Sequence, residues 1–242
     1  MNNFVIILVE PKQPGNIGSV CRAMANFGVA ELRLVNPVCD HLAEEATRLA
    51  VFAAPLLNAA AIYSTLGDAI ADCHYTIAAT RREGCCRNAL QSLPAAAEAC
   101  AGKSARIGLV FGREQSGLTT EEVVMCSHAA AIETSVDGSL NLAQAVVVFL
   151  YELTRQRLGS AVAATEAVPP LQGDYERLFT TMAEVLDRTA YLNRQRPEAL
   201  MNPLRRIHQR ARLNADELDL LCGIWSRLEE SVNDWPGKRR GK

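Results

Sequence analysis

Residues 106–119 read RIGLVFGREQSGLT. The first part, Arg106–Phe111, is an apolar run with no polar residue alternating through it. A strand covered on both faces reads this way, whereas a strand with one wet face alternates. At Gly112 the sequence turns polar, a second glycine follows at Gly117, and Thr119 with Glu122 fits a capping box that starts a helix. A strand, a glycine-bracketed loop and a helix form the repeating unit of an α/β layer. Such a loop lies at the C-terminal edge of the sheet, where open α/β sheets place ligands. The pair Arg113–Glu114 inside it is either a structural ion pair or part of a ligand loop, and the flanking glycines favour the second.

Outward from this unit, similar apolar runs recur at Phe4–Val9, Glu31–Val35, Tyr75–Ala79 and Ala129–Glu133. Helical patterns separate most of them, so the fold class is α/β with a mostly parallel sheet. From Ile17 to Phe27 the residues Ile17, Val20, Cys21, Met24 and Phe27 follow helical spacing, and Gly28 is placed to end the helix. A second helix is expected from about Ser139 to Leu158. Its polar residues Asn141, Gln144, Tyr151, Glu152 and Arg155 fall within an arc of roughly 100°, so most of its sides are buried. Ser139 is placed to cap it.

The sheet region is expected to span residues 1–158. The stretch 159–170, GSAVAATEAVPP, reads as a linker of small residues and prolines. Residues 171–236 read as a small helical module. Tyr175, Leu178, Phe179, Met182, Val185 and Leu186 line its first helix, and a second is expected to start near Pro203. A third carries Leu218, Leu221, Trp225, Leu228 and Val232, capped by Asn214 and Glu217. A basic tail, 237–242, follows.

Composition narrows the class without naming it. The 242 residues carry a formal net charge of −2, so any nucleic-acid site must be a local patch. Eight cysteines occur without a C-x-x-C pair, and four histidines without H-x-x-x-H spacing. A zinc site or disulfide framework is not expected, and the cysteines read as small buried thiols in a reducing cytoplasm. The start, MNNFVIILVE, lacks a basic n-region and reads as a strand, not a signal peptide. No apolar stretch reaches the roughly 20 residues that cross a bilayer.

Three further loops carry unusual chemistry. Pro14-Gly15-Asn16-Ile17-Gly18-Ser19 follows the first strand, where its glycines either let the backbone approach a ligand or serve a tight turn needing positive φ. It is not a dinucleotide fingerprint, because G-x-x-G lacks the spacing of G-x-G-x-x-G. Thr80-Arg81-Arg82-Glu83 follows Tyr75–Ala79, and Ser135–Asn141 leads into the buried helix.

Taken together, FGREQSGLT and then SLNLAQAV resemble the paired signature of the SPOUT RNA methyltransferases. PGNIGSVCRAM and LVNP, the latter at Leu34–Pro37, narrow the resemblance to the TrmH/TrmJ branch of ribose 2′-O-methyltransferases. The helical module, with Leu200-Met201-Asn202-Pro203-Leu204-Arg205-Arg206, is similar to that of TrmJ-type tRNA enzymes. The resemblance covers almost the whole chain, with the motifs in order.

The resemblance implies a C-terminal deep trefoil knot, which periodicity could never show, and a homodimer with the first helix at the contact. It implies S-adenosylmethionine held by Ala79, Thr80, Arg81, Gly112, Ile132, Gly138, Ser139 and Leu140, without a metal. Asn16, Arg22, Glu114, Ser139 and Asn141 would surround the reaction, and Glu114 would orient an arginine, of either protomer. Arg22 is the residue usually held to activate the hydroxyl. A guanidinium stays protonated, so it would fix the ribose–phosphate and stabilise developing negative charge. Arg194, Arg196, Arg205, Arg206, Arg210 and Arg212 would bind RNA, the substrate implied being tRNA at nucleotide 32. The alternatives are another 2′-O-methylation site, ribosomal RNA, a base-methylating relative, a nucleotide-dependent oxidoreductase or an idle RNA-binding homologue.

Overall fold

Six consecutive apolar residues, FVIILV, form β1 (Phe4–Val9), and all six are buried. Phe4, Ile6 and Leu8 enter one core while Val5, Ile7 and Val9 enter another, as the two-residue period of a strand dictates. The computed structural model describes residues 3–81, 90–135, 140–159 and 168–233. After β1 come α1 (Pro14–Asn26), β2 (Glu31–Val35), α2 (Glu44–Ala50), α3 (Ala54–Asn58), β3 (Ala61–Tyr63) and α4 (Leu66–Ile70). Then follow β4 (Tyr75–Ala79), β5 (Leu90–Ser92), α5 (Leu93–Cys100), β6 (Ile107–Phe111), α6 (Thr120–Met125) and β7 (His128–Ala131). The chain continues through α7 (Leu142–Gly159), α8 (Gln172–Arg188), α9 (Glu198–Ala211) and α10 (Ala215–Asn233).

The described strands form one sheet in the order β3-β2-β1-β6-β4-β7-β5, and every pairing is parallel. One face is covered by α1, α2, α3, α5 and α7, the other by α4 and α6. The last three helices have a cluster of their own around Tyr175, Leu178, Phe179, Met182 and Leu218. They lean on the sheet region through α8 against α4 and α9 against α6.

Strands β1, β2 and β4 match their expected bounds, while the run expected from Arg106 starts at Ile107 and the last is His128–Ala131. The short strands β3 and β5 were not expected. Each has three residues at a sheet edge, and such a strand buries no apolar run that a sequence could show. Helix α9 starts at Glu198, not near Pro203. Proline inside a helix loses one ladder bond, and here the helix tolerates it in its second turn.

The first loop also differs from expectation. Gly15 and Gly18 lie inside α1 without positive φ, so they do not serve a tight turn. A Cβ on Gly18 would stand 2.1 Å from the Ala46 carbonyl oxygen, and one on Gly15 2.7 Å from Glu45 Oε1. These glycines let α2 pack onto α1. Gly28, with φ +68°, ends α1 as expected.

Candidate active site

Parallel pairing brings the loops after β1, β4, β6 and β7 to one edge of the sheet. Among them lies a cavity of about 270 Å³. Its apolar wall comes from Phe111, Leu142 and Phe149, and its polar rim includes Thr80, Ser116 and Thr134. Ala79, Thr80, Arg81, Gly112, Ile132 and Leu140 all line it, so six of the eight residues expected to hold the cofactor share one hollow. The other two, Gly138 and Ser139, lie outside the described residues, as do Arg82 and Glu83 of the loop after β4. Gly112 is required by close approach. A Cβ there would lie 2.2 Å from the Gly117 carbonyl carbon, where the loop folds back on itself.

Glu114 joins this cavity to the first loop. Its carboxylate accepts from the backbone N–H of Lys12 (3.2 Å) and Gln13 (3.1 Å) and from Asn16 Nδ2 (3.1 Å). Asn16, only 7 % exposed, accepts in turn from Asn141 Nδ2 at 2.9 Å. Glu114, Asn16 and Asn141, 98 and 125 residues apart along the chain, thus form one hydrogen-bonded row beside the cavity. Asn141 also caps α7, its Oδ1 accepting from the N–H of Ala143 at 2.9 Å. The helix begins at Leu142, three positions beyond its expected start at Ser139, with Asn141 in the capping place.

Glu114 meets no arginine among the described residues. Its neighbour Arg113 turns away to Glu10 and Glu122, and Thr119 with Glu122 makes the expected capping box. Arg22 sits six residues beyond Asn16 on the exposed side of α1 and makes no hydrogen bond or ion pair with a described residue. The structure therefore gathers Asn16, Glu114 and Asn141 and leaves Arg22 outside the row. Sequence reading missed Glu10, Lys12 and Gln13. Their position just past the first strand, on the same rim as Gly112, was the available signal.

Nearby Cys39 lies 3.5 Å from the Pro11 carbonyl oxygen, and burial together with the Glu114 charge raises its pKa. Burial pushes Cys21, Cys73, Cys100 and Cys126 up to about 12. These thiols stay protonated, which removes them as nucleophiles. Among the described residues no group of three or more His, Cys, Asp or Glu is placed to hold a metal ion, and no helix is long and apolar enough to cross a membrane.

The arginines expected to meet RNA divide by environment. Arg205 is 17 % exposed, lies 4.5 Å above the Phe179 ring and pairs with Glu176. Arg194 is exposed but held by Asp187. Arg206 is half-buried, whereas Arg196, Arg210 and Arg212 are exposed.

A parallel α/β sheet with a hollow and a hydrogen-bonded polar row at its C-terminal rim belongs to the class of small-ligand-binding α/β folds. Residues 3–151 match the SpoU rRNA methylase family and residues 173–236 the C-terminal domain of the tRNA methyltransferase TrmJ. The chain belongs to the SpoU methylase family, on its TrmJ-type branch. It is 36 % identical to the tRNA (cytidine/uridine-2′-O-)-methyltransferase TrmJ of Cronobacter sakazakii, covering 98 % of this chain and all of that one. The crystal structure of TrmJ from Z. mobilis superposes with a TM-score of 0.83 at 30 % identity, over 93 % of this chain and 98 % of that one. The SpoU methyltransferase AviRb from Streptomyces viridochromogenes, in complex with the cofactor AdoMet, shares the fold at 20 % identity. Its TM-score is 0.54, over 66 % of this chain and 63 % of that one.

Proposed function

We propose that this protein methylates the ribose 2′-hydroxyl of a cytidine or uridine at nucleotide 32 of tRNA, with S-adenosylmethionine as donor. One observation carries the reading: the cavity of nucleoside size is bordered by the Glu114–Asn16–Asn141 row. An apolar wall against Phe111 and Phe149 suits a purine, and backbone groups of Ala79–Arg81 and Ile132 can recognise its edge without strong side-chain motifs. Bound there, the cofactor supplies a methyl group on a positively charged sulfur.

The protein's part is position and electrostatics. Glu114 has both oxygens engaged with the loop after β1, so it organises that loop and is not free to serve as the base. Asn16 and Asn141 hold a fixed dipole row beside the reacting centre. Arg22 would fix the ribose–phosphate and stabilise charge on the 2′-oxygen, while a phosphate or water takes its proton.

Arg22 is exposed on α1 and makes no hydrogen bond with the described residues of the row, which supports a role toward a neighbouring site. We therefore infer a homodimer in which Arg22 serves the partner's cavity. In support, α7 beside α1 exposes an apolar stripe at Val147 (41 %) and Tyr151 (58 %), continued by Leu140. Family membership supports three further readings: a trefoil knot formed by the segment ending in α7, a division at 1–158, 159–170 and 171–236, and a cytoplasmic setting.

Unmodified tRNA incubated with purified protein and cofactor, then digested to nucleosides, tests the reading. It should yield 2′-O-methylcytidine or 2′-O-methyluridine at nucleotide 32. A methylated base would overturn the ribose assignment, and absence of both product and cofactor binding would leave an idle RNA-binding homologue.

A further inference from the structure

Arg113 lines the cavity next to Glu114 and makes no hydrogen bond to the side chains of the polar row. Arg113 uses both edges of its guanidinium. Nε and Nη2 donate to Glu10 Oε2 and Oε1 at 2.8 and 2.6 Å, and Nη1 and Nη2 donate to Glu122 Oε2 and Oε1 at 3.0 and 3.1 Å. Nη1 also reaches the Gly117 carbonyl at 3.4 Å, and the Gly117 N–H donates to the Arg113 carbonyl at 2.9 Å. The loop from Gly112 to Leu118 is thereby closed across its own base.

Glu10 is the more telling partner. It follows the last residue of β1 with φ +46°, a left-handed conformation that a side chain disfavours. Its carboxylate is gripped by Arg113, which holds it below the usual carboxylate range. The contacts then run in step. Arg113 grips Glu10, and the next residue, Glu114, grips the N–H groups of Lys12 and Gln13 and the side chain of Asn16. Two consecutive residues of the cavity loop thus lace two consecutive stretches of the first loop.

We propose that Arg113 is a positioning residue that sets the spacing between the cofactor wall, Gly112–Leu118, and the acceptor-side row of Asn16, Glu114 and Asn141. The inference rests on the methyltransferase reading for its consequence in turnover, though not for its consequence in structure. Misplacing such a row by an ångström costs on the order of a hundredfold in rate. The cavity's other walls come from the loops after β4 and β7, and Arg113 makes no hydrogen bond to their described residues.

Arg113→Met and Arg113→Lys are the variants, with Glu10→Gln as a third that leaves the Glu122 cap intact should Arg113→Met fail to fold. In cofactor-free protein, deuterium uptake at residues 10–16 should rise in all three. In loaded enzyme kcat should fall at least about tenfold while cofactor dissociation changes less than about threefold. Lysine keeps the charge but cannot hold two carboxylates edge-on, so Arg113→Lys should stay slow. Unchanged uptake at residues 10–16, full recovery in Arg113→Lys, or activity falling only in step with the folded fraction would each overturn the proposal. A wild-type protein that methylates no tRNA defeats the functional reading instead, and the uptake measurement still judges Arg113.

Discussion

Two charged clusters stand at opposite rims of the same parallel sheet, and they are built differently. At the N-terminal rim Arg33, 3 % exposed, bonds Asp72 at 2.5 and 2.8 Å, Glu31 at 2.5 and 2.8 Å and the Ala69 carbonyl at 2.6 Å. Arg106 pairs with the same two carboxylates. Two cations close on two anions, and none of the four lines the cavity at the other rim. At the C-terminal rim one guanidinium, Arg113, faces Glu10 and Glu122, with Glu114 spending its charge on backbone N–H groups next to an open hollow. A saturated cluster clamps the fold. A cluster whose members reach across loops around a cavity arranges a site.

The sharpest way to break this contrast lies on the functional rim. Arg22→Ala should lower turnover about a hundred- to a thousandfold while cofactor affinity stays nearly intact, as befits one lost electrostatic contact to developing charge. Equal loss of both would move Arg22 into the cofactor site. Mixing inactive Arg22→Ala with inactive Asn141→Ala protein should restore activity, because a mixed dimer then contains one site with its own Asn141 and the partner's Arg22. Mixtures as dead as their components would place both residues in one protomer's site.

On the clamping rim the expected effect is on stability. Asp72→Asn removes a charged partner of a buried guanidinium and should cost about 2 kcal/mol in urea unfolding, with turnover per folded molecule unchanged. The Arg33 guanidinium holds the Asp72 pKa below its ordinary value. A carboxylate so lowered contributes stability above its unfolded pKa and loses it as pH falls through the folded one. Wild-type protein should therefore lose its advantage over Asp72→Asn on acidification below the ordinary carboxylate range. An advantage that persists in strong acid would show that the Arg33 cluster is not the clamp.

The two rims also mark how far the residues could be read unaided. The parallel α/β architecture was legible in continuous apolar runs such as Phe4–Val9, because burial on both faces leaves nothing polar to alternate. Six cavity-lining positions were legible through family motifs lying next to strand ends. The roles inside the motifs were not. Gly15 and Gly18 read as glycines for a ligand's approach or for a tight turn, yet they serve contacts with Glu45 and Ala46 that only the folded chain creates. Arg113 and Glu114 read as either a structural ion pair or part of a ligand loop; they line the cavity but part toward residues about a hundred positions away. Local spacing carries elements and rims; partners at long sequence separation come from topology.

The same distinction between clamped and available charge predicts the smallest effects, in the helical region. Arg210 and Arg212 are exposed, so replacing either with alanine should weaken tRNA binding modestly and lower the salt dependence of affinity by about one unit of slope. Arg205 is expected to behave otherwise. Its guanidinium is engaged by Glu176 and lies over Phe179, so Arg205→Ala should lower thermal stability and leave the salt slope unchanged. A slope that falls with Arg205→Ala and not with Arg210→Ala would mean that burial and pairing in the free protein do not tell which arginines meet RNA. The RNA face would then have to be sought among residues that rearrange on binding.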